Sequence, residues 1–314
     1  MSITMLEVQG LHKKYQNTVA VDDVSFKIDK QDIFGLLGPN GAGKSTTISI
    51  ISGIIHRDKG EILVEGKNFD KNLKDIKRNM GLVPQDIIIF EDLTAKENLE
   101  YFGSLYGINN KTRKHNVDQT LEFIGLTDVA NKFPKTFSGG MKRRLNIGCA
   151  IVHRPQIIIL DEPTVGIDAQ SRNHIMESIR KLNQQGATII YTSHYMEEIQ
   201  SLCNRLLIID KGKVVESGNT NELLLKYNLN ETYLIMLDKK IQNELCKQLN
   251  EIIGVVKCSI NEKVLEIEAQ ANTFSLKHIL DVIERTNYKF LSINMKRNNL
   301  EDIFLHLTGK TLRD

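Results

Sequence analysis

The sequence predicts an α/β fold in which a buried sheet carries a phosphate-binding loop, followed by a smaller α+β module. Two observations predict the sheet. The glycine-rich residues 38–46 lie in a strand–loop–helix pattern, and a second apolar strand ends in carboxylates at positions 161 and 162. Alternating strand and helix patterns after residue 228 predict the smaller module. With 314 residues, the chain has room for about two domains.

The glycine-rich segment fits the phosphate-loop pattern G-x-x-x-x-G-K-[ST] at every fixed position. Its glycines let the backbone curl so that successive N–H groups point at a polyphosphate, and the helix that follows favours an anion at its N-terminus. We expect Lys44 to reach the phosphates and Ser45 to ligate Mg²⁺. The predicted nucleotide contacts in this loop are Gly38, Pro39, Asn40, Gly41, Ala42, Gly43, Lys44, Ser45 and Thr46.

The second apolar strand, residues 157–160, ends in Asp161 and Glu162. A buried strand that ends in a carboxylate is typical of nucleoside triphosphatases, because the carboxylate can hold Mg²⁺. We expect Asp161 to hold the metal that Ser45 also ligates, and Glu162 to polarise a water for attack on the terminal phosphate. His194 follows a later strand, where its ring could hydrogen-bond a phosphate oxygen.

Three further segments are candidates for nucleotide contacts. Gln85 lies just beyond an apolar strand end, the edge at which α/β sheets bind ligands. Ser138 is a good helix N-cap, and Gly139 and Gly140 behind it expose backbone N–H groups as a second anion site. Tyr15 sits between two predicted strands, in a polar loop. From this residue alone, an ordinary surface tyrosine is the simpler interpretation, and stacking on adenine is the alternative.

Composition excludes several classes of protein. The chain carries 41 basic and 39 acidic residues, and this near-balance gives no reason to expect nucleic acid as a partner. Its four cysteines form no C-x-x-C pair, so we expect buried reduced thiols, as in a cytosolic protein, rather than zinc or disulfides. The N-terminus lacks a signal-peptide pattern, and all apolar runs are far shorter than the roughly 18 residues needed to span a bilayer. We therefore expect a soluble chain whose membrane role, if any, uses partner subunits.

In this order, the motifs resemble those of ABC transporter ATP-binding subunits, and the resemblance covers residues 5 to about 226. It implies a P-loop NTPase cassette, residues 1–227, built from a RecA-like core, an antiparallel β subdomain and a helical subdomain at about 86–152. ATP and Mg²⁺ are the implied ligands. The signature departs slightly from the usual form, with Phe137 in place of Leu and Met141 in place of Gln.

The resemblance also implies roles for single residues. Tyr15 falls where the family stacks adenine, Asp168 on the D-loop, Gln85 on the Q-loop, and His194 at the switch histidine. The implied catalytic residues are Glu162, His194 and Gln85, and the implied metal contacts are Ser45, Gln85 and Asp161. Ser138, Gly139 and Gly140 correspond to the signature that binds nucleotide.

Residues 93–99 and 300–309 are similar to the ABC-2 branch, the drug-resistance and sodium-extrusion type of exporter ATPase. In this family two cassettes face head to tail, and each nucleotide lies between one phosphate loop and the other copy's signature. The implied partners are thus a second cassette, most simply another copy, and a polytopic membrane permease. The implied location is cytoplasmic, on the inner face of the membrane through that permease.

Residues 228–314 are predicted to form an accessory or regulatory α+β domain. Its β-α-β-β-α-β order suggests a ferredoxin-like module, and the segment contains no phosphate loop. We expect it to support cassette dimerisation or contact with the permease. Passive packing on its own cassette remains open.

Other function classes also remain open at this point. Translation factors of the ABC type carry two cassettes, whereas this chain has one phosphate loop. DNA-repair ATPases carry a long coiled-coil arm, and only 52 residues separate Gln85 from Ser138. A regulatory module that binds ATP without hydrolysing it is the third alternative, and the presence of Glu162 and His194 weighs against it.

Overall fold

This computed structural model describes residues 3–227, 230–270, 273–296 and 299–309. The chain folds as two compact units, one ending at Thr220 and the other running from Asn221 to Gly309. The predicted linker over residues 227–231 is partly wrong, because Tyr227 ends a helix and Asn230 begins a strand. Residues 228 and 229 of that linker lie outside the described residues. A functional division after residue 227 stays a prediction.

The first unit contains two sheets and the helices that cover them. Its strands are β1 (Thr4–Tyr15), β2 (Thr18–Asp29), β3 (Ile33–Leu37), β4 (Lys59–Val64), β5 (Lys67–Asn68), β6 (Met80–Val83), β7 (Ile157–Asp161), β8 (Thr188–Thr192), β9 (Arg205–Asp210) and β10 (Lys213–Asn219). Its helices are α1 (Lys44–Ile51), α2 (Leu73–Arg78), α3 (Ala95–Leu105), α4 (Asn110–Phe123), α5 (Gly139–Ile151), α6 (Ala169–Gln184) and α7 (Met196–Leu202).

The main sheet has the order β10-β9-β3-β8-β7-β6, with β10 antiparallel to its neighbour and the other pairs parallel. Parallel strands covered on both faces are buried along nearly their whole length, as β7 and β8 are. The carboxyl ends of β3, β7 and β8 therefore meet at one edge of the sheet. This edge carries the phosphate loop, the paired carboxylates and His194.

The second sheet is antiparallel, in the order β2-β1-β4-β5. Along β2, buried Val24, Phe26 and Ile28 alternate with exposed polar residues, as the sequence pattern predicts for a half-buried strand. The expectation that Tyr15 lies in a loop is wrong. Tyr15 is the last residue of β1 and pairs with Thr18 across a tight hairpin, in which Gln16 has a positive φ of 46°.

The helices α3, α4 and α5 pack around a core of their own, which includes Leu99, Leu121 and Leu145. Thr94 caps α3 through a reciprocal pair of hydrogen bonds with Glu97. Ser138 caps α5 by accepting a hydrogen bond from the Met141 N–H at 3.3 Å, as predicted. The described residues thus contain the RecA-like core, the antiparallel sheet and the helical subdomain that the sequence predicts.

The second unit is built on a sheet in the order β12-β13-β11-β14, covered by helices. Its elements are α8 (Thr220–Tyr227), β11 (Asn230–Leu237), α9 (Asn243–Asn250), β12 (Val255–Asn261), β13 (Val264–Gln270), α10 (Leu276–Glu284), β14 (Phe290–Lys296) and α11 (Leu300–Thr308). The first and last strands of the module lie side by side, and Ile235, Leu245 and Ile279 fill its core. This arrangement is the predicted ferredoxin-like one.

One expectation about the cysteines is wrong. The packing of α9 on β12 brings the Cα atoms of Cys246 and Cys258 to 5.6 Å, and their sulfurs form a disulfide. Sequence spacing does not reveal such a pair, because the pairing depends on how a helix and a strand pack. Cys149 and Cys203 are buried free thiols, as predicted, and burial raises the pKa of both.

No described helix, from residue 3 through 309 with the gaps given above, is both long and apolar enough to cross a membrane. A half-buried histidine of the helical region has an unusual pKa. The ring of His153 stacks on Tyr106 with centroids 3.4 Å apart, and Nε2 lies 3.2 Å from the Met80 carbonyl oxygen. Burial lowers the pKa of His153 to about 4, from an ordinary value of 6.5.

His153 should make the fold sensitive to mild acid. The unfolded chain takes up this proton near pH 6.5 and the folded chain only near pH 4, so folding stability falls as the pH drops through that window. His153→Gln removes the titration, and its amide can still donate to the Met80 carbonyl. Urea denaturation at about pH 7 and about pH 5 should show wild type losing about 2 kcal/mol more than the variant. Equal losses in the two proteins would contradict the lowered pKa of His153.

Candidate functional site

The phosphate loop connects β3 to α1 and turns through two glycines in the left-handed region. Gly41 has a φ of 76° and Gly43 a φ of 105°. A Cβ on Gly43 would also lie 2.4 Å from the Ala20 carbonyl oxygen, so the close approach of the hairpin requires glycine there as well. Inside the loop, Lys44 Nζ donates to the carbonyl oxygens of Gly38 at 2.5 Å and Pro39 at 3.1 Å.

The Lys44 ammonium is buried at 7% exposure, which is unusual for lysine. Burial lowers its pKa, and the nearby carboxylates of Glu162 and Asp161 partly offset that shift. A buried cation enclosed by a curled backbone fits a bound polyphosphate, which would replace the carbonyl oxygens as the partner of the ammonium. Ser45, at the start of α1, is exposed at the same end of the loop.

Thr192 joins the two carboxylates at the end of β7 to the neighbouring strand. Its hydroxyl donates to Asp161 Oδ1 at 2.7 Å and accepts from the Glu162 N–H at 2.9 Å. The backbone of Glu162 has a φ of 48°, a region that costs a non-glycine residue about 1 kcal/mol or more. The hydrogen bond from its N–H holds Glu162 in this conformation.

Glu162 and His194 are in direct contact. His194 Nε2 lies 2.6 Å from Glu162 Oε1, and the Glu162 side chain is 9% exposed. In the described part of the chain, no hydrogen-bond partner reaches Glu162 Oε2 or His194 Nδ1, although both atoms are buried. A buried carboxylate oxygen without a partner is costly unless a ligand or water completes the site. Glu162 Oε2 is therefore an acceptor that suits a bound water or ligand.

The signature and the D-loop pack against each other within one chain. Asp168 caps α6, and its Oδ1 accepts from the Ser171 N–H at 2.9 Å. This hydrogen bond also lowers the pKa of Asp168. A Cβ on Gly140 would lie 2.3 Å from Ser171 Oγ, so glycine is required for this approach. Ser138 and Gly139 are exposed at the start of α5.

The structure brings some predicted site residues together and leaves others apart. Lys44, the two carboxylates and His194 form one cluster. Across the described ranges, no hydrogen bond or ion pair joins Tyr15, Gln85 or Ser138 to that cluster. Tyr15 is 46% exposed, with Lys13 Nζ 5.7 Å from its ring centroid. Gln85 is exposed just after β6.

Three buried polar residues that the sequence analysis missed hold the segment after β6. Arg143, 4% exposed, donates to the carbonyl oxygens of Pro84 at 3.0 Å and Gln85 at 2.6 Å. Asn146 Oδ1 accepts from the Ile88 N–H at 3.1 Å, and Asn98 bonds both backbone groups of Phe90. Their signal in the sequence was weak. Each is a polar residue at a core position of a helix that is otherwise apolar on that side.

An apolar groove of about 420 Å³ lies beside this segment. Ile54, Leu82, Phe102 and Tyr106 line it, and Asn146 reaches it from α5. Such a concave apolar surface with a few buried polar groups, here Ser52 and Asn146, is typical of a binding site.

Comparison with known proteins identifies the family. The model of the ABC transporter family matches residues 21–165. The linearmycin resistance ATP-binding protein LnrL of Bacillus subtilis (strain 168) is 42% identical over 312 residues, which cover 99% of this chain and 100% of that protein. The chain belongs to the family of ABC transporter ATP-binding subunits.

Two further proteins of this kind are similar over most of their length. The Nod factor export ATP-binding protein I of Burkholderia thailandensis (strain ATCC 700388 / DSM 13276 / CCUG 48851 / CIP 106301 / E264) is 33% identical, and the match covers 100% of both chains. The ATP-binding cassette MJ0796, solved as a dimer in a post-hydrolysis state with ADP and Pi, is 26% identical with a TM-score of 0.63. This match covers 69% of our chain and 99% of MJ0796.

These findings confirm the resemblance to ABC ATP-binding subunits of the ABC-2 branch, and with it the cassette fold. The chain is an ABC-type ATPase, the ATP-binding subunit of an ABC transporter. The roles of the individual site residues stay predictions, and so does the binding of Mg²⁺.

Tyr15 offers a direct test of nucleotide binding, because its exposed ring is the predicted adenine platform. Tyr15→Ala should weaken ATP binding by about 1–3 kcal/mol, through loss of base–aromatic stacking. Tyr15→Phe keeps the ring and serves as the matched control, with affinity close to wild type. Isothermal titration calorimetry with ATP measures both. If the alanine variant binds ATP as tightly as wild type, Tyr15 is an ordinary surface residue.

Proposed function

We propose that this ATPase works as a head-to-tail dimer of two copies that hydrolyses Mg²⁺-bound ATP and drives an export permease. The observation that carries the proposal is the 2.6 Å contact between Glu162 and His194 next to the buried Lys44 ammonium. A carboxylate held by a histidine at the edge of a phosphate loop is arranged for proton abstraction from water.

In this proposal, Lys44 and the loop N–H groups hold the β- and γ-phosphates, and in-line attack by water follows. Glu162 takes the proton of that water through the oxygen that lacks a partner. His194 keeps Glu162 in place and is available to a γ-phosphate oxygen. Mg²⁺, when bound, neutralises charge that develops on the phosphates.

We assign the Mg²⁺ ion to Ser45, Asp161 and Gln85. The donor set suits a hard cation, since hydroxyl, carboxylate and amide oxygens are its preferred ligands. Asp161 is only half-buried at the end of β7, and one of its oxygens is oriented by the Thr192 hydroxyl. Orientation of a ligating carboxylate by a neighbouring hydroxyl is a frequent feature of metal sites.

The dimer is supported by the exposed signature. Ser138 and Gly139 are exposed, and a Cβ on Gly139 would meet no atom within 4 Å. The N–H groups at the start of α5 are thus accessible to a phosphate from outside the chain, and a helix N-terminus favours an anion. We assign that phosphate to ATP bound by a second copy, as the dimeric relative MJ0796 suggests.

The permease is supported by the apolar groove and its surroundings. Exposed apolar side chains surround it. Ile54 and Ile88, 62% and 55% exposed, line the groove, and the exposed rings of Phe90 and Tyr101 have centroids 6.1 and 5.6 Å from that of the groove residue Phe102. Exposed apolar patches of this kind mark interaction sites. The relatives named for linearmycin resistance and Nod factor export favour an export permease, which would hold this chain at the inner face of the membrane.

Glu162→Gln tests the assignment of the base. The amide keeps the size of the side chain but cannot accept the proton of water, so ATP turnover should fall at least about 100-fold while ATP still binds. The trapped ATP should hold two copies together, visible as a doubled mass by light scattering. Lys44→Ala, which removes the phosphate-facing charge, is the matched control and should show neither binding nor dimer. Normal turnover by the Glu162 variant would refute the role of this residue.

Ile54→Glu tests the partner. A carboxylate in the apolar groove should abolish copurification of a polytopic membrane protein with tagged chain, because the charge cannot be desolvated there. ATPase activity without the partner should persist. Ile3→Glu, at a position 64% exposed and outside the groove lining, is the matched control and should retain the partner. Recovery of a ribosomal or DNA-bound partner by wild type would contradict the transport proposal.

A further inference from the structure

A buried carboxylate behind the catalytic pair connects the two loops that carry it. Glu198, in the first turn of α7, is 3% exposed. Its Oε2 accepts hydrogen bonds from three hydroxyls, those of Thr164 at 2.9 Å, Tyr191 at 2.7 Å and Ser193 at 2.6 Å. Its Oε1 lies 3.5 Å from Arg172 Nε on α6. One side chain thus gathers groups from separate segments of the first unit.

Two of these hydroxyls lie beside the catalytic pair in the sequence. Thr164 is two residues after Glu162, and Ser193 directly precedes His194. The Ser193 hydroxyl also accepts from the Tyr195 N–H at 3.0 Å, so the backbone on both sides of His194 is tied to the same carboxylate. The third hydroxyl, on Tyr191, anchors Glu198 to strand β8.

The charge of Glu198 matters to this arrangement. Hydrogen bonds to an ionised acceptor are roughly twice as strong as neutral ones. In a buried site they also fix geometry, because no water can replace a hydroxyl that moves away. Arg172 balances the charge from α6, and its guanidinium carbon lies 4.3 Å from the Tyr195 ring centroid. The buried Glu198 carboxylate therefore holds the three hydroxyls in fixed positions, unlike a solvated ion pair.

We infer that Glu198 is a positioning residue for ATP hydrolysis, which sets the contact between Glu162 and His194 through Thr164 and Ser193. Glu198 touches neither nucleotide nor attacking water in this role. The inference rests on the proposed function, in which Glu162 is the base and His194 its partner. Displacement of a catalytic group by about 1 Å can cost up to about 100-fold in rate. Weaker hydrogen bonds to Glu198 should therefore lower turnover measurably.

Glu198→Gln is the first test, by steady-state ATPase kinetics of the full chain. Glutamine has the same size but lacks the charge that holds three hydroxyls. The turnover number should fall about tenfold or more, whereas KM for ATP should change by less than about twofold, because the phosphate loop is untouched. Unchanged turnover in a folded variant overturns the inference.

Asp32→Asn is the matched control. Asp32 is 6% exposed and also binds several partners, the Asp29 N–H, Asn204 and Arg205, but it precedes β3 at the edge of the sheet opposite the phosphate loop. Loss of this buried carboxylate should lower the unfolding temperature and leave turnover within about twofold of wild type. An equal loss of turnover in this control would show a general effect of destabilisation and overturn the inference.

A double-variant cycle separates positioning from general weakening. In a His194→Ala background, Glu198→Gln should change turnover by only about twofold, since the contact that it sets is already gone. A tenfold loss in both backgrounds would overturn the inference. If Glu198→Gln fails to fold, Ser193→Ala replaces it, with the same expected fall in turnover at unchanged KM and the same refutation by normal turnover.

The failure of this inference is distinguishable from failure of the proposed function. Full turnover by Glu162→Gln would refute the proposed function, whatever Glu198 does. An inactive Glu162→Gln together with a normal Glu198→Gln would refute the positioning role alone.

Discussion

Opposite charges buried side by side at the carboxyl edge of the parallel sheet are the constraint on which the first unit depends. An ammonium as buried as that of Lys44 is costly unless carboxylates and carbonyl oxygens surround it. Three features bring the ammonium close to the carboxylates. They are the curl of the phosphate loop, the common level at which β3 and β7 end, and the left-handed backbone of Glu162. In the described part of the second unit, by contrast, the core is a cluster of apolar side chains.

The sequence predicted those parts of the site that are encoded locally. The spacing of the glycines before Lys44 specifies a loop around phosphate, whatever else surrounds it. The apolar residues 157–160 can form a strand buried on both faces, and the carboxylates then fall at its end. In the second unit, alternating strands and amphipathic helices were regular enough to predict the element order, since each covers one face of a small core.

The remaining features depend on packing between distant segments, and for that reason the sequence did not reveal them. Two glutamates stand side by side in the first turn of α7, and nothing local in the sequence tells that Glu197 is exposed while Glu198 is buried. Arg143 stands between two other basic residues in the sequence, yet it is buried and donates to backbone carbonyl oxygens. The Cys246–Cys258 pair likewise exists only because α9 lies on β12.

The hydrogen bonds from Arg143 to the backbone after β6 couple the movement of that segment to helix α5. Helix α5 carries Arg143 within it and is capped by the signature serine, so one helix connects the wall of the apolar groove to the surface that we assign to contact with a second copy. In the proposed dimer, force from the permease half docked on one copy would therefore arrive at the nucleotide held by the other. Each half of the permease would then respond to the nucleotide that is bound by the opposite copy.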